Sequence, residues 1–222
     1  MIGSWITIAV VTFIGILPIA NPFSTAVVFL TITERFSEER RRQQALLACV
    51  YMAGVLITFL LLGSLIMNFF GISIPGLRIA GGLIVARIGF GMLNPTPENE
   101  MPEESREEAV RMDDVAFTPL AMPMLSGPGS IAVTIGMATE ADGVGENLAI
   151  VVGIGLVALV SWLVLRASAR VVRALGATGM NAMGRIMGFL LICIGVQFIV
   201  DGTHDILSSP EFWGPILGAI RG

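Results

Sequence analysis

The sequence is poor in the side chains that most enzymes and metal sites use. Its 222 residues include no lysine, one histidine (His204) and two cysteines, Cys49 and Cys193. The apolar segments contain no acidic residue and no histidine that could act as a general base, so we do not expect an enzyme. Because both cysteines lie within apolar segments, we interpret them as small buried hydrophobic residues rather than as a disulfide or metal ligands.

Charged residues are also scarce. They make up 14% of the chain, against roughly 25% in a soluble domain, whereas apolar residues make up 55% and the mean hydropathy is +0.84. A membrane-spanning helix needs about 20 apolar residues. Six segments reach or approach that length: 3–33, 43–70, 76–93, 115–138, 147–166 and 182–200. The composition therefore predicts an all-α, six-span protein that contacts the lipid bilayer. The first segment is too long for a signal peptide and lacks its basic start, so we expect it to stay in the mature chain.

Two polar segments complete the predicted organisation. Residues 94–114 form an acidic segment that we expect to be a solvated loop, and residues 201–222 form a tail that we expect at the membrane surface. The loop contains six glutamates: Glu98, Glu100, Glu103, Glu104, Glu107 and Glu108. The net charge of −4 is concentrated there, which argues against a nucleic-acid partner.

The arginines predict the orientation of the chain. Loops that carry basic residues stay cytoplasmic, and the arginines cluster in the first, third and fifth loops. They are Arg35, Arg40, Arg41, Arg42, Arg106, Arg111, Arg166, Arg170 and Arg173. The second and fourth loops have only Arg78, at the edge of the membrane. Both termini are therefore predicted on the outer side, and Trp5, Trp162 and Trp213 lie where interfacial anchors are expected.

Two apolar segments contain prolines that would interrupt a helix. The first is broken at 18–22, in the run Pro18-Ile19-Ala20-Asn21-Pro22, and the fourth is broken at 119–129, which spans Pro119, Pro123 and Pro128. Proline removes a backbone donor and clashes with the preceding turn. The first and fourth helices are therefore predicted to break near the midplane of the membrane. A pair of interrupted segments at matching positions indicates the binding site of a transporter.

The two halves of the chain also resemble each other. An offset of 106 residues aligns Pro22-Phe23-Ser24 with Pro128-Gly129-Ser130, and an offset of 107 aligns Arg78-Ile79-x-Gly81 with Arg185-Ile186-x-Gly188. We interpret residues 1–93 and 115–200 as two three-helix repeats. Because three is odd, the second repeat enters the membrane inverted, an arrangement typical of transporters that work by alternating access.

The residues around the two breaks are the candidate substrate-binding residues. They are Asn21, Pro22, Phe23, Ser24, Thr25, Ser126, Gly127, Pro128, Gly129 and Ser130. Backbone N–H groups at the start of each half-helix, over 23–26 and 130–133, are expected to be free and to favour a carboxylate. Gly127 and Gly129 would let a ligand approach the backbone closely. The alternative is that the breaks are structural kinks satisfied by neighbouring helices.

Three arginines are candidates for gating or for a counter-charge. Arg78 and Arg185 occupy equivalent positions in the repeats, and the other interpretation is that they extend to lipid headgroups. The small residues that follow them would permit close helix packing. Arg87 lies near the middle of the third segment, where a charge is costly and usually functional. We expect it to face protein or water, and no role follows from its position.

Several motifs in this sequence resemble those of the MarC family of bacterial inner-membrane proteins. They are Asn21-Pro22, the run Ile72-Ser73-Ile74-Pro75-Gly76-Leu77-Arg78-Ile79-Ala80-Gly81-Gly82, Pro119-Leu120-Ala121-Met122-Pro123, Ser126-Gly127-Pro128-Gly129 and Arg185-Ile186-Met187-Gly188-Phe189-Leu190. The resemblance covers nearly the whole chain. It implies a six-span protein of the bacterial inner membrane. In that membrane, the orientation predicted from the arginines places both termini and residues 201–222 in the periplasm and the acidic loop in the cytoplasm. Related proteins are classed as transporters of small neutral amino acids, and for the MarC branch the resemblance implies no particular substrate and no antibiotic efflux.

These observations together predict a secondary transporter of a small polar or zwitterionic solute, with neutral amino acids favoured. No cofactor is expected. Because no carboxylate lies within a predicted span, coupling to Na⁺ on carbonyl and hydroxyl oxygens, or no ion coupling at all, is favoured over coupling to a proton. A channel-like pore and a non-transporting scaffold or regulator are the alternatives. The substrate, the direction of transport and the oligomeric state are left open by the sequence.

Overall fold

The computed structural model describes residues 2–94, 103–209 and 212–213. Within these residues the chain is built of helices. They are α1 (Ile2–Ala20), α2 (Pro22–Ile32), α3 (Glu38–Phe70), α4 (Ile74–Leu93), α5 (Glu103–Arg111), α6 (Pro128–Glu140), α7 (Val144–Arg166) and α8 (Ser168–Ser208). Residues Ala116–Leu125 form a separate "wide segment", in which the N–H groups of Leu120 and Ser126 bond to carbonyls five residues earlier.

The apolar helices confirm the predicted all-α, multi-pass class. In the described residues, five helices are long and apolar enough to span a membrane, and the wide segment and α6 together pass as a sixth span bent by 64°. Helix α8 continues to Ser208, past the predicted boundary at residue 200, with left-handed backbone at Gly176 near its start. In the acidic segment, residues 103–111 form α5 rather than a loop. Glu98, Glu100 and most of residues 210–222 lie outside the described residues.

Polar and glycine residues determine where several helices begin and end. The Ser37 side chain accepts a hydrogen bond from the Arg40 N–H and starts α3, and the Ser73 side chain does the same for Gly76 in α4. Gly71, at a φ of 66°, ends α3 in the left-handed conformation that glycine adopts without strain. Polar side chains between the apolar segments therefore place the turns of the bundle.

The arginine-bearing loops meet at one end of the bundle. Arg40 Nη2 donates to the carbonyl of Asp113 at 2.7 Å, which joins the start of α3 to the segment after α5. At the same end, Arg41 and Arg42 share a cavity with the junction between α7 and α8. We call this the arginine-rich end, comprising the described parts of residues 33–42, 94–115 and 166–177. The opposite end comprises residues 70–78, 140–147 and 201–209.

Glycines allow α4 and α8 to pack closely along their length. A Cβ built on Gly82 would lie 2.5 Å from the carbonyl oxygen of Gly195, and one on Gly89 would lie 2.6 Å from that of Gly188. Either distance is too short for a real side chain, so the two backbones are in direct contact. This confirms the predicted close packing at the glycines that follow Arg78 and Arg185.

Several of the other helix contacts occur in matching pairs. Helix α4 packs on α6, and α8 packs on α2; α1 packs on α7, and the wide segment packs on α3. Helix α3 also contacts α7. These four contacts thus form two pairs in which helices of the two halves exchange places.

The outer surface is apolar, as a lipid-exposed surface must be. The exposed large apolar side chains include Leu61, Leu65, Phe69, Phe70, Leu148, Val152 and Phe189. Cys49 is buried in α3, as predicted, but Cys193 lies on the exposed face of α8, so its predicted burial is wrong. The apolar environment of Cys193 is outside the bundle, because helices in a bilayer carry apolar residues on both their buried and their outer faces.

Candidate functional site

The first break is a single residue. Helix α1 continues through Pro18 to Ala20, and α2 begins at Pro22, so only Asn21 leaves the helical conformation. Asn21 has φ 37° and ψ 64°, a left-handed conformation that asparagine adopts more readily than most residues. The expectation of a break across 18–22 is therefore too broad. The Asn21 N–H still reaches the carbonyl of Leu17 at 3.0 Å, so the loss of one donor at Pro18 does not end α1.

The Asn21 side chain closes the start of α2. Its Oδ1 accepts from the Ser24 N–H at 3.3 Å, and its Nδ2 donates to Ser24 Oγ at 2.7 Å and to Met92 Sδ at 3.6 Å. The Thr25 N–H and hydroxyl both donate to the Asn21 carbonyl, at 3.2 and 3.1 Å. The prediction of free N–H groups over 23–26 is thus wrong for Ser24 and Thr25, because the side chain and carbonyl of Asn21 accept their hydrogen bonds.

The second break is longer and contains extended backbone. Thr118 and Met122 have ψ values of 125° and 120°, as expected for residues that precede a proline. Beyond the wide segment, Gly127 is extended at φ −70° and ψ 177°, and Pro128 is the first residue of α6. The chain bends by 64° between the wide segment and α6. Each of the three prolines in this segment thus directly follows a residue with extended backbone.

The hydroxyl groups at the second break are buried and already engaged. Ser126, Ser130 and Thr134 are fully buried. The Ser126 hydroxyl donates to the Ala121 carbonyl at 2.8 Å, and the Thr134 hydroxyl donates to the Ser130 carbonyl at 2.8 Å. Ser130 Oγ lies 3.5 Å from the Leu125 carbonyl, which is a weaker contact. In this conformation these hydroxyls satisfy backbone carbonyls freed by the break.

Two backbone donors remain at the start of α6. The Ile131 N–H bonds to the Gly127 carbonyl at 3.1 Å, so this part of the predicted free set is wrong. The N–H groups of Gly129 and Ser130 have no acceptor within the described part of the chain. They lie at the positive end of the α6 dipole, where an anionic group is favoured.

The two breaks lie side by side. A Cβ on Gly129 would be 3.2 Å from Ile19 Cγ2 on α1 and 3.0 Å from Val85 Cγ2 on α4. Asn21 reaches the same helix, α4, through Met92. Asn21 and Gly129, which are far apart in sequence, thus contact the same helix, with Met92 and Val85 seven positions apart along it.

The candidate binding residues differ in the exposure of their side chains. The side chains of Ser24 and Pro128 are exposed, Phe23 is half-buried, and Pro22 and Thr25 are buried. Gly127 does not offer the predicted open approach, since a Cβ there would lie 2.7 Å from the Pro123 carbonyl oxygen of the same chain segment. Its small size is explained by the turn itself, and Ser24 is the candidate hydroxyl most accessible to a solute.

Arg78 connects three helices at the opposite end. Its guanidinium pairs with Glu140 at the end of α6 and with Asp205 near the end of α8, and its side chain is 12% exposed. These contacts hold Arg78 against carboxylates of the protein, and its role in gating or as a counter-charge for a solute stays a prediction. Its repeat equivalent, Arg185, is exposed, with no ion pair among the described residues.

Arg87 points away from the bundle on α4, and no charged partner for it is found among the residues that the structure describes. Its predicted environment of protein or water stays a prediction.

Several contacts of the structure have no counterpart among the predictions from sequence. Met92, Glu140 and Asp205 were not assigned to their partners, and Gln44 Oε1 accepts from the Val115 N–H at 2.9 Å just before the wide segment. No local pattern marks these residues, because each finds its partner on a helix distant in sequence. The sequence gives one weak indication for Glu140, because the offset of 106 residues aligns it with Glu34.

Residues 6–207 match the MarC family of integral membrane proteins. The chain belongs to this family. It is 40% identical to the inner membrane protein MarC of Salmonella typhimurium LT2 over 205 residues, covering 87% of this chain and 93% of the relative. The inner membrane proteins MarC of Citrobacter koseri and Escherichia coli O1:K1 are 42% identical, over 205 and 206 residues, with the same coverage. No solved structure is significantly similar to this MarC-family chain.

Proposed function

We propose that this MarC-family protein is a secondary transporter in the bacterial inner membrane, without enzymatic activity, that moves a small polar or zwitterionic solute. The observation that carries the proposal is the contact between the two interrupted helices, with Gly129 against Ile19, two residues before Asn21. In transporters, the substrate site is typically formed by discontinuous helices near the midplane. The inner-membrane location is supported by the names of the relatives and by the apolar helices.

The proposal includes two inverted repeats that move against each other. The paired helix contacts support it, since α4 meets α6 as α8 meets α2, and α1 meets α7 as the wide segment meets α3. A two-fold axis in the membrane plane that exchanges the halves would produce this pairing. The axis would pass between α4 and α8, whose backbones touch at Gly82 and Gly195.

The solute would bind between the starts of α2 and α6. A carboxylate would accept hydrogen bonds from the N–H groups of Gly129 and Ser130, which lie at the positive end of α6. The exposed Ser24 hydroxyl and the Asn21 amide would contact the polar remainder of the solute. These four groups favour a solute of amino-acid size and zwitterionic character.

Under the proposal, the described conformation would be closed to the solute at the opposite end. Arg78 joins α4, α6 and α8 there, and the buried hydroxyls of the second break bond to backbone carbonyls. Under the proposal, substrate entry from that end requires the Arg78 ion pairs to separate. Na⁺ remains the favoured coupling ion, with carbonyl oxygens released at the wide segment as its ligands.

Counterflow in proteoliposomes tests this function. Vesicles loaded with one unlabelled neutral amino acid should transiently accumulate the labelled form, and the rate should saturate with concentration. Flux that does not saturate and shows no counterflow would indicate a pore. Absence of flux, together with a thermal unfolding midpoint that no solute changes, would contradict transport and favour a scaffold.

A pair of variants on α2 tests the site itself. Ser24→Ala removes the exposed hydroxyl at the break and should weaken the apparent affinity for the solute about tenfold, because a polar group of the solute loses its partner. Thr31→Val is the control, since Thr31 is an exposed residue of the same helix whose hydroxyl donates to the Val27 carbonyl. Equal transport by both variants would place the site elsewhere.

A further inference from the structure

A cavity of about 470 Å³ lies at the arginine-rich end, away from the two breaks. The first turns of α3, the last turn of α7 and the first turn of α8 line it, with Phe29 of α2 at its base. Four arginines and one acidic residue take part in the lining: Arg41, Arg42, Arg166, Arg170 and Glu38. The proposed solute site uses none of these residues.

The positive charge of the cavity is mostly uncompensated. Arg42 pairs with Glu38 at 3.2 Å, and both side chains are largely exposed. Arg41, Arg166 and Arg170 form no ion pair with any described residue. Three guanidinium groups that share one cavity repel one another, and a bound anion would relieve that repulsion.

Arg41 has a donor that the protein does not satisfy. Its Nη2 donates to the Thr33 carbonyl at 2.9 Å, which fixes the guanidinium. Its Nε is enclosed and has no hydrogen-bond partner in the described structure. A buried donor of a charged group is costly when it is left unpaired. The planar arrangement of guanidinium donors matches the oxygens of a phosphate group.

The walls of the cavity suit an amphipathic ligand. Phe29 and Leu165 are fully buried, whereas Leu163 is 49% exposed on the outer surface of α7. The Arg166 guanidinium lies 5.1 Å from the centre of the Trp162 ring, close to where the membrane surface is expected. The cavity thus places arginines beside an apolar, lipid-facing surface.

We infer that this cavity binds the phosphate group of an anionic phospholipid from the leaflet at the arginine-rich end. The phosphodiester occupies the space among Arg41, Arg166 and Arg170, and the acyl chains lie along the outer surface of α7 beside Leu163. This inference does not depend on the proposed transport function.

Trp162 provides a direct readout in bilayers. The full chain carries Trp5→Phe and Trp213→Phe, so that Trp162 is its sole tryptophan. It is reconstituted in mixtures of phosphatidylcholine and phosphatidylglycerol, and each lipid in turn has brominated acyl chains. Bromine quenches tryptophan at short range, so quenching by each lipid gives their relative occupancy near Arg166. We expect phosphatidylglycerol to be preferred over phosphatidylcholine, with a preference that persists as the salt concentration rises.

Two arginine variants separate a site from diffuse attraction. Arg170→Gln changes an exposed lining residue and should lower the preference about fivefold. Arg173→Gln changes an exposed arginine of α8 that lies outside the lining, and it should leave most of the preference intact. Arg41→Gln should abolish the preference, with circular dichroism used to check that the variant is folded. Equal effects of Arg170→Gln and Arg173→Gln would overturn the inference, since only diffuse surface attraction would then remain.

A third arm distinguishes the lipid from a free anion. Sodium phosphate is added to vesicles that contain brominated phosphatidylglycerol, with sodium chloride of equal ionic strength as the control. We expect the quenching of Trp162 to be the same in sodium phosphate as in sodium chloride. Displacement by phosphate alone would mean that the cavity binds the soluble anion, and the lipid assignment would be wrong.

Discussion

Asn21 shows how one residue divides an apolar helix. It combines a left-handed backbone with a side chain that caps α2 through the Ser24 N–H. Proline on the next position removes a donor that the first turn of a helix does not need. The interruption thus requires a residue that tolerates positive φ and also accepts a hydrogen bond, and asparagine meets both requirements.

Two substitutions at this position should separate these requirements. Asn21→Ala loses the cap and strains the backbone, and we expect it to lower the free energy of unfolding by about 2 kcal/mol. Asn21→Gly keeps the backbone relaxed and should cost clearly less. Thermal unfolding in detergent compares the two variants. Equal unfolding midpoints for the two variants would contradict the requirement for a left-handed backbone at position 21.

Arg78 links three helices at the opposite end of the bundle. Its side chain is mostly buried, and its partners Glu140 and Asp205 come from two other helices. Arg78→Ala should lower the free energy of unfolding by about 1 kcal/mol, because partly exposed ion pairs contribute little more than that. Raising the salt concentration should narrow the difference from the wild type.

The matched control for Arg78 lies on α5. Arg111 pairs with Glu107 within one exposed helix at 3.5 Å, with both side chains mostly in solvent. Arg111→Ala should therefore leave the unfolding midpoint unchanged. A loss as large as that of Arg78→Ala would show that removal of any arginine destabilises the chain and that the bridge among α4, α6 and α8 has no special role.

Helices α4 and α8 form the most extensive contact between elements. Their glycines recur at seven-residue spacing, with Gly82 and Gly89 on one helix and Gly188 and Gly195 on the other. Bilayer lipids are as apolar as leucine, so helix association in a membrane depends on close packing rather than on the hydrophobic effect. A missing side chain is what permits that packing here.

Substitution of Gly82 tests this contact. Gly82→Ala should destabilise the protein by about 1–3 kcal/mol, because its Cβ would lie 2.5 Å from a backbone carbonyl oxygen that cannot move alone. Gly155→Ala on α7 is the control, since a Cβ there meets no atom within 4 Å. The control should be neutral or slightly stabilising because alanine favours helix. The relevant measurement is the midpoint of thermal unfolding, and equal midpoints would contradict the packing.

The whole molecule has two chemically different ends. The arginines of the first, third and fifth loops gather at one end, and the opposite end has Arg78 balanced by two carboxylates. By the positive-inside rule, the arginine-rich end should face the cytoplasm and both termini the periplasm.

Cysteine labelling in intact cells tests this orientation. The background variant carries Cys49→Ser and Cys193→Ser, so that an introduced cysteine is the only thiol. A membrane-impermeant reagent should label Asp142→Cys and should not reach Glu104→Cys until the cells are opened. Both positions are exposed in the structure. Labelling of Glu104→Cys in intact cells would show that the predicted orientation is wrong.

The sequence by itself determined the class of the protein and much of its organisation. Apolar runs of membrane length predict spanning helices because unpaired backbone groups are too costly in lipid for other structures. Pro128 and Asn21-Pro22 mark two helix starts because proline and asparagine act on their own backbone. The arginines predict which loops lie on the same side of the membrane, because the orientation set by basic loops does not depend on how the helices pack.

The tertiary structure alone decided which groups are free and which are engaged. Ser24 and Thr25 bond to Asn21, Arg78 bonds to Glu140 and Asp205, and Gly127 faces the Pro123 carbonyl. In α4 and α8 the apolar residues carry no amphipathic pattern that distinguishes buried from outer faces, because lipid and protein interior are both apolar. The neighbours of Cys193, Arg87 and the cavity arginines therefore depended on how the helices pack, which a residue's own sequence context does not specify.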